Sequence, residues 1–386
     1  MRDCVLTLNA GSSSVKFALF DIAGGVRDKP LLSGQVDGIG QGPTPLTHVD
    51  ALGQVLRRVN ISGAAGNGVG RTGPDWRVTA VGHRIVHGGT AFTQAMVIDD
   101  PLLAALLALA PLAPLHQPHN LAGVAAARAA FAGVPQVACF DTAFHRCQPE
   151  VHQRFALPEA WHRAGVQRYG FHGLSYQSIA EQLAAAEPAL AAGRVVVAHL
   201  GNGASMCAMQ AGQSIASTMT FSPLDGLTMG TRCGRIDAAA VLHLIQHHGL
   251  DVAAVSHLLY RESGLLGLSG LSSDMRTLLA SDSAGARLAI DHFVESAARE
   301  LAGMAAALRG IDALVFTGGI GENAAVLRAR IVEAAAWMGL RLDVAANLAG
   351  NPRINAPDSA VHVRVMHTDE EGVIARQTRL ALGCTT

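Results

Sequence analysis

Apolar and polar positions alternate in short bursts at the start of the chain and fall into longer helical runs later. Val5-Leu6-Thr7-Leu8 has the character of a strand, Asn9-Ala10-Gly11-Ser12-Ser13-Ser14 is turn chemistry, and residues 15–20 resume a strand that stops at Asp21. Glycine-rich stretches over 34–42 and 63–73 predict loops around a helix over 51–59. Residues 78–81 predict a short strand that leads into the turn Gly82-His83-Arg84-Ile85-Val86-His87-Gly88-Gly89. A helix over 101–109, a loop over 111–120, an alanine-rich helix over 121–131 and a strand over 136–140, ending at Asp141, follow.

The second half repeats the opening. Residues 194–200 predict a buried strand, Gly201-Asn202-Gly203-Ala204-Ser205 a turn, and 206–209 a returning strand. Leu8-Asn9-Ala10-Gly11-Ser12 and Ala198-His199-Leu200-Gly201-Asn202 hold matching places in two strand–turn–strand units, which suggests an internal duplication. A domain boundary falls between residues 147 and 168. Beyond residue 237 the pattern is helical, broken by strands over 313–317 and 361–367. Strands mixed with helices throughout give an α/β protein of two lobes, a class that places ligands in the cleft between them.

At 386 residues the chain suits two domains, and 49 % hydrophobic residues supply material for their cores. A formal net charge of -1 gives no reason to expect a nucleic-acid partner. The most apolar run, 102–115, is shorter than the roughly 20 residues of a spanning helix. It also contains Pro111 and Pro114, so it reads as a buried helix and not as a membrane segment. The start, Met1-Arg2-Asp3, carries no signal-peptide pattern. The six cysteines show neither CxxC pairing nor zinc spacing and read as reduced thiols of a cytoplasmic protein. Of 29 basic residues only Lys16 and Lys29 are lysine, which draws attention to Lys16 beside the first turn.

That turn can do chemistry. Gly11 and its small neighbours let backbone amides approach an anion, the hydroxyls of Ser12 and Ser14 can donate to phosphate oxygens, Lys16 adds charge, and Asn9 can hold a metal-bound water. No G-x-x-x-x-G-K-[ST] loop occurs. Residues 201–205 form a second turn of the same kind, and one such turn per half fits a nucleotide clamped between related lobes. Gly318-Gly319-Ile320-Gly321-Glu322-Asn323 follows a strand and opens a helix. It contains G-x-G-x-x-A, but it lies late in the chain and lacks an acidic residue about 20 positions on, which counts against a dinucleotide site. The other match, over 68–73, runs into Pro74 and is discarded.

Arg84 and Arg232 lie in glycine-flanked segments suited to a two-pronged grip on carboxylate or phosphate. His172, in Tyr169-Gly170-Phe171-His172-Gly173, and Asp141 at a strand end are further candidates. Among 17 histidines, however, spacing alone singles out none. The His83/His87 and His116/His119 spacings are not H-E-x-x-H and read as incidental.

Taken together, the segments resemble the acetate kinase family, within the acetate and sugar kinase, Hsp70 and actin superfamily. The resemblance covers nearly the full length and keeps the family's order: NAGSSSVK (9–16), GHRIVHGG (82–89), PLAPLHQPHN (111–120), FDTAFH (140–145), YGFHGLSY (169–176), HLGNGAS (199–205), MGTRCGRID (229–237), GLSSDMR (270–276), GGIGEN (318–323) and DEE (369–371). It implies two related lobes of ribonuclease H-like, actin/Hsp70-type fold with the active site in the cleft between them. Residues 1–150, joined by a C-terminal helix over 371–386, would form the N-terminal lobe, and 151–370 the nucleotide-binding lobe.

The same resemblance assigns roles. Asn9 and Glu370 would organise Mg²⁺, with Mn²⁺ as a substitute. Ser12, Ser14 and Lys16 would lie near the transferring phosphates. ATP would be held by His199, Leu200, Gly201, Asn202 and Gly203, by Asp274, Met275 and Arg276, and by Gly319, Ile320, Gly321, Glu322 and Asn323. Arg84 and Arg232 would bind the carboxylate and the phosphoryl group in flight, His172 would stabilise the transition state, and Asp141 would belong to the catalytic group. Val86, Leu115, Phe171 and Pro223 match a small apolar pocket for a methyl group. The chain departs from the family at Arg235, usually acidic, Asp225, usually Glu, Asp369, usually Asn, and Gln117, usually Asn.

These roles imply reversible phosphorylation of acetate to acetyl phosphate by a cytoplasmic homodimer. A carboxylate is already a competent nucleophile, so the catalyst's task is electrostatic and a direct in-line transfer is expected, with a covalent phospho-enzyme as the rival. The other readings are a propionate kinase, a catalytically silent nucleotide-binding protein of the same fold and, on GIGENA alone, an NAD-dependent dehydrogenase.

Overall fold

A computed structural model describes residues 2–11, 14–24, 29–39, 46–59 and 75–384. Its contacts divide the chain into two units, Met1–Arg146 with Asp369–Thr386, and Cys147–Thr368.

In the first unit β1 (Arg2–Ala10), β2 (Ser14–Asp21), β3 (Leu32–Asp37), β4 (Trp76–Ile85), β5 (Met96–Val97) and β6 (Gln136–Phe140) form one sheet in the order β3-β2-β1-β4-β6-β5. The first three are antiparallel neighbours, whereas β4 runs parallel to β1 and β6 parallel to β4. Three expectations are corrected here. The glycine-rich stretch from 34 is strand, not loop, as far as Asp37, because pairing with β2 outweighs the weak strand preference of glycine. The second such stretch, 63–73, lies outside the described residues. β4 extends past residue 81 to Ile85, held extended by β1 on one side and β6 on the other, so Arg84 is a strand residue rather than part of a turn. The helix expected from 121 is Gln117–Ala130, with Pro118 in its first turn, where a missing N–H costs no hydrogen bond.

Side chains alternate across β1. Cys4, Leu6, Leu8 and Ala10 enter a core with Val15, Phe17 and Leu19 of β2 and with Ala51, Leu52, Val55 and Leu56 of the helix His48–Arg58. Val5 faces the other way, into a cluster with Ala18, Phe20, Ala80 and Ala375 of the helix Glu370–Ala381. Asn9 lies four positions beyond Val5 and shares that second face.

The second unit repeats the arrangement. β7 (Arg194–Leu200), β8 (Ala204–Gln210), β9 (Gln213–Ser217), β10 (Ala313–Thr317) and β11 (His362–Val365) are ordered β11-β10-β7-β8-β9. The antiparallel pairs lie on one side of the first strand and the parallel ones on the other, as in the first sheet apart from its antiparallel edge pair of β5 with β6. Both first hairpins close alike, with the Gly11 amide donating to the Ser14 carbonyl at 2.8 Å and Gly201 to Gly203 at 3.0 Å. Asn9 and His199 are the penultimate residues of β1 and β7, so the topology carries the duplication that the two turns suggest. Among the described residues no helix is long and apolar enough to cross a membrane.

Candidate active site

Strand register assembles the first group of candidates. Thr7 pairs with Gly82 and Leu8 with His83, which carries Asn9 and Arg84 to the same face at the ends of parallel strands. Arg84 in turn pairs with Cys139, and Asp141 follows two residues later. The guanidinium therefore meets both. Nε donates to Oδ1 and Oδ2 of Asp141 at 3.1 and 3.0 Å, Nη2 to Oδ2 at 2.5 Å, and Nη1 to Asn9 Oδ1 at 3.1 Å. The Asp141 side chain is 1 % exposed and that of Arg84 20 %. Burial opposes the charge on Arg84, but the Asp141 and Glu370 carboxylates outweigh it and hold the pKa above its ordinary value. Burial pushes the Asp141 carboxyl up, against the pull of Arg84. Guanidinium has five N–H donors, and one on each nitrogen is engaged, which leaves two for an anion.

The helix Glu370–Ala381 covers this face. Its first residue reaches the same cluster, with Glu370 Oε2 accepting from Asn9 Nδ2 at 3.2 Å, while Asp369 caps the helix by accepting from the Gly372 amide at 2.9 Å. Glu371 Oε1 is buried without a hydrogen-bond partner, and burial and then Glu370 push its carboxyl up, with Lys16 pulling the other way. Lys16 itself is exposed on β2, opposite Asn9. Ser14 opens β2, and Ser12 lies outside the described residues. Beyond β4 the chain is fixed by side-chain amides. Asn120 Oδ1 accepts from the Val86 amide at 2.9 Å, its Nδ2 donates to the Ala10 carbonyl at 2.5 Å, and Gln117 bonds both backbone groups of His87. Val86 is buried and Leu115 half-buried.

In the second unit His172 caps the helix Gly173–Ala186 at φ 57°, a left-handed conformation that costs a non-glycine residue on the order of 1 kcal/mol or more. Its ring stacks on that of His199 with centroids 4.4 Å apart. Each Nδ1 meets a serine hydroxyl at 2.8 Å, Ser205 for His172 and Ser175 for His199. Both Nε2 atoms lie beside the turn between β7 and β8. A Cβ on Gly203 would stand 3.4 Å from His172 Nε2 and only 2.7 Å from Arg232 Nη2, and one on Gly201 would stand 3.9 Å from His199 Nε2. The bare turn thus admits a guanidinium and two imidazoles. Arg232 is aimed by Nη1, which donates to the Pro223 carbonyl at 2.6 Å, and Pro223 and Phe171 are buried.

The turn after β10 adjoins this one. Gly318 has φ +79°, and a Cβ there would stand 2.8 Å from the Leu200 carbonyl, so both the conformation and the space require glycine. Glu322 Oε1 accepts from the Gly318 amide at 2.9 Å, and Asn323 Nδ2 donates to the Gly319 carbonyl at 2.9 Å.

Comparison with known proteins settles the family. Residues 4–376 match the acetokinase family. The chain belongs to the acetokinase family. It is 49 % identical to the acetate kinase of Methylocella silvestris over 98 % of both chains. The crystal structure of Porphyromonas gingivalis acetate kinase is similar with a TM-score of 0.84 at 34 % identity, covering 98 % of this chain and 100 % of that one. A propionate kinase from Francisella tularensis gives a TM-score of 0.87 at 34 % identity, covering 98 % and 99 %.

The remaining acetokinase motif residues are placed unevenly. Asp274 caps the helix Met275–Leu279 and pairs with Arg276 at 2.6 Å, and hydrogen bonds from Arg276 lower its pKa to about 2. Met275 is buried, whereas the Arg276 side chain is 91 % exposed. Several organising residues had no sequence signal of their own. Ser175, Tyr176 and Ser205 lie inside recognised motifs as unremarked small or aromatic positions. Arg328 belongs to none. It is buried, and its guanidinium bonds the carbonyls of Gly321, Glu322 and Asn347 and the Asn347 side chain at 2.8–3.0 Å, pinning the end of the helix Gly318–Asn323.

Proposed function

We propose that this acetokinase catalyses reversible transfer of the γ-phosphoryl group of ATP to acetate, giving acetyl phosphate by a single in-line displacement. The observation that carries the reading is the Arg232–His172 pair gathered over the bare Gly203 turn, in a chain 49 % identical to a named acetate kinase along nearly its full length. A catalytically silent nucleotide binder has no use for these groups, and the departures at Gln117, Asp225, Arg235 and Asp369 remove none of the proposed catalytic residues.

In this reading Arg84, with two donors left over, takes the acetate carboxylate or the transferring phosphoryl group, and Asp141 holds it in place. Arg232 and His172 neutralise charge on the phosphoryl oxygens. The turns 201–203 and 318–323 supply backbone amides to the ATP phosphates, with Asp274 to Arg276 beside the nucleoside. Val86, Leu115, Phe171 and Pro223 are the apolar residues this reading assigns to the methyl group. Retention of configuration at a chiral γ-phosphate would instead require a phospho-enzyme.

Mg²⁺ fits the first unit's donor set. Asp141, Asp369, Glu370 and Glu371 outnumber the cations Arg84 and Lys16, and one Glu371 oxygen is buried without a partner. Among the described residues no three His, Cys, Asp or Glu gather as a metal centre, but Mg²⁺ needs only one or two carboxylates besides the phosphates. Glu370 and Asn9 would hold it, with Mn²⁺ as an oxygen-seeking substitute, and it would neutralise phosphate charge.

The protein would act in the cytoplasm on small molecules alone, as a homodimer. The helix Ala238–His248, which carries Val241, Leu242, Leu244 and Ile245, has no buried residue, and an apolar surface of that kind suits a second copy. The deciding experiment is phosphorylation with MgATP across formate, acetate, propionate and butyrate, trapping acyl phosphate with hydroxylamine. The highest kcat/KM is expected at acetate. A maximum at propionate would change the substrate, and no acyl phosphate with any acid would overturn the enzyme assignment.

A further inference from the structure

The segment that carries Arg232 is fastened along its base to one long helix. Residues 226–235 close on themselves, with the Arg235 amide donating to the Gly226 carbonyl at 2.9 Å and the Met229 amide to the Arg232 carbonyl at 3.2 Å. The helix Ala284–Ala307 packs on β7, β8 and β9, and its Phe293, Ala297 and Leu301 are fully buried, which makes it a firm support. Three of its residues, four apart, reach the segment. His292 Nδ1 meets the Thr228 hydroxyl at 2.9 Å, Ser296 Oγ accepts from the Thr228 amide at 3.1 Å, and Glu300 pairs with Arg235 Nη2 at 3.1 Å. Residues at i, i+4 and i+8 share one face and climb about 6 Å per step, so the contacts form a line along the helix.

Two of the three contacts satisfy buried groups. Thr228 is 2 % exposed, and Ser296 gives its amide an acceptor. The Glu300 side chain is 7 % exposed against 70 % for Arg235, so the segment brings a donor to a buried carboxylate. Burial pushes the Glu300 carboxyl up and Arg235 pulls it down, while Asp225 and Arg168 act more weakly in opposite directions. Losing either partner leaves a buried polar group unsatisfied, so segment and helix hold together. The tip of the segment is fastened elsewhere. The amides of Ser263, Leu265 and Leu266 donate to the carbonyls of Thr231, Met229 and Gly230 at 3.1, 2.8 and 3.0 Å. Arg232 lies between the two fastenings, one residue past Thr231 and three before Arg235.

We propose that His292, Ser296 and Glu300 are positioning residues for Arg232, fixing the backbone of 226–235 and so setting where the guanidinium stands over the Gly203 turn. The catalytic consequence rests on the role of Arg232 proposed above, whereas the fastening itself can be measured without the reaction.

The test joins amide hydrogen exchange to single-acid kinetics on the full chain. In Ser296→Ala/Glu300→Gln the amides of Thr228, Met229 and Arg235 should exchange roughly tenfold faster, the scale of one lost hydrogen bond. Turnover should fall about tenfold, part of the 10²–10³ typical for losing a preorganised contact outright, with KM for ATP within about twofold. In an Arg232→Ala background the same two changes should alter kcat by less than about twofold, since no guanidinium is left to position. Arg235→Lys, which keeps the charge, should retain more turnover than Arg235→Gln. If the double variant does not fold, the single changes are read in the same way, because Ser296→Ala leaves the ion pair and Glu300→Gln leaves both bonds to Thr228.

Unchanged exchange would overturn the fastening. Faster exchange with full turnover would mean that the tip alone sets Arg232, and would remove the positioning role. An equal fall in kcat with and without Arg232 would mean that the helix acts elsewhere. Full turnover in Arg232→Ala alone would instead refute the role of Arg232, and with it the catalytic consequence, while the exchange result still judges the fastening.

Discussion

Arg84 lies on β4 and Asp141 just past β6, yet three hydrogen bonds join them, because Arg84 pairs with Cys139 and Asp141 follows on the same face. The sheet thus makes an ion pair before any ligand arrives. Arg84 neutralises a carboxylate that is almost wholly buried. Arg232 donates to the Pro223 carbonyl and stands over the Gly203 turn.

Arg84→Ala is therefore expected to damage both stability and rate. Stranding the Asp141 charge should cost about 3–5 kcal/mol, and the loss of a preorganised cation about 10²–10³ in kcat. Arg232→Ala should lose as much rate. Denaturant midpoints and single-acid kinetics on both variants check this. An Arg84→Ala protein as stable as its parent would show that Asp141 does not depend on its partner.

Gly203→Ala tests the crowding over the turn. A Cβ there would stand 2.7 Å from Arg232 Nη2, while the glycine has no positive φ to lose. The methyl group should push the guanidinium aside and lower kcat toward the level of Arg232→Ala, with a melting temperature close to that of the unmodified protein. Full turnover would mean that the guanidinium can move without loss, and that its placement over Gly203 is not needed.

The motifs named in the sequence do mark residues that the fold gathers. Asn9, Arg84, Asp141 and Glu370 come from four separate segments and meet on one face. His172, Gly203 and Arg232 do the same in the other unit. What could not be read was the secondary structure that gathers them. The glycines around Arg84 look like a turn, and only pairing on both edges makes the segment a strand. Gly34 in β3 misleads for the same reason. Nor could residues that act through others be found. A serine at 205 or an arginine at 328 is unremarkable until its hydrogen bonds are known, since both depend on neighbours distant in the chain.

Arg328 gives a third prediction. Its buried guanidinium has no carboxylate among its hydrogen-bond partners, and burial lowers its pKa. What it offers is donors to carbonyls at the end of the helix Gly318–Asn323. Arg328→Met fills the space but leaves those carbonyls unsatisfied, so a loss of about 2–3 kcal/mol is expected, with a severalfold rise in KM for ATP and little change in KM for the acid. Equal rises in both KM values would mean that the residue supports the whole unit rather than the turn.

The first unit should also lose stability in mild acid through two histidines outside the proposed chemistry. His83 is buried with Nε2 donating to Gln136 Oε1 at 2.6 Å, and His87 is buried with Nδ1 accepting from the Gly89 amide at 2.9 Å. Burial lowers both pKa values to about 4, with Arg146 adding to the effect on His87. In the unfolded chain each would titrate near 6.5. Between these values the unfolded state binds more protons, so stability rises with pH. No penalty exists above about 6.5. It grows as pH falls toward 4 and then levels off, reaching at most about 3 kcal/mol per histidine at 1.36 kcal/mol per pKa unit. Glutamine at position 83 can still donate to Gln136 but cannot be protonated. His83→Gln should therefore be somewhat less stable than its parent at pH 8, where the fitted imidazole is lost, and close that gap by pH 5. Denaturation curves taken from pH 8 to 5 will show the two stability profiles converging, whereas parallel profiles would mean that His83 is not neutral in the fold.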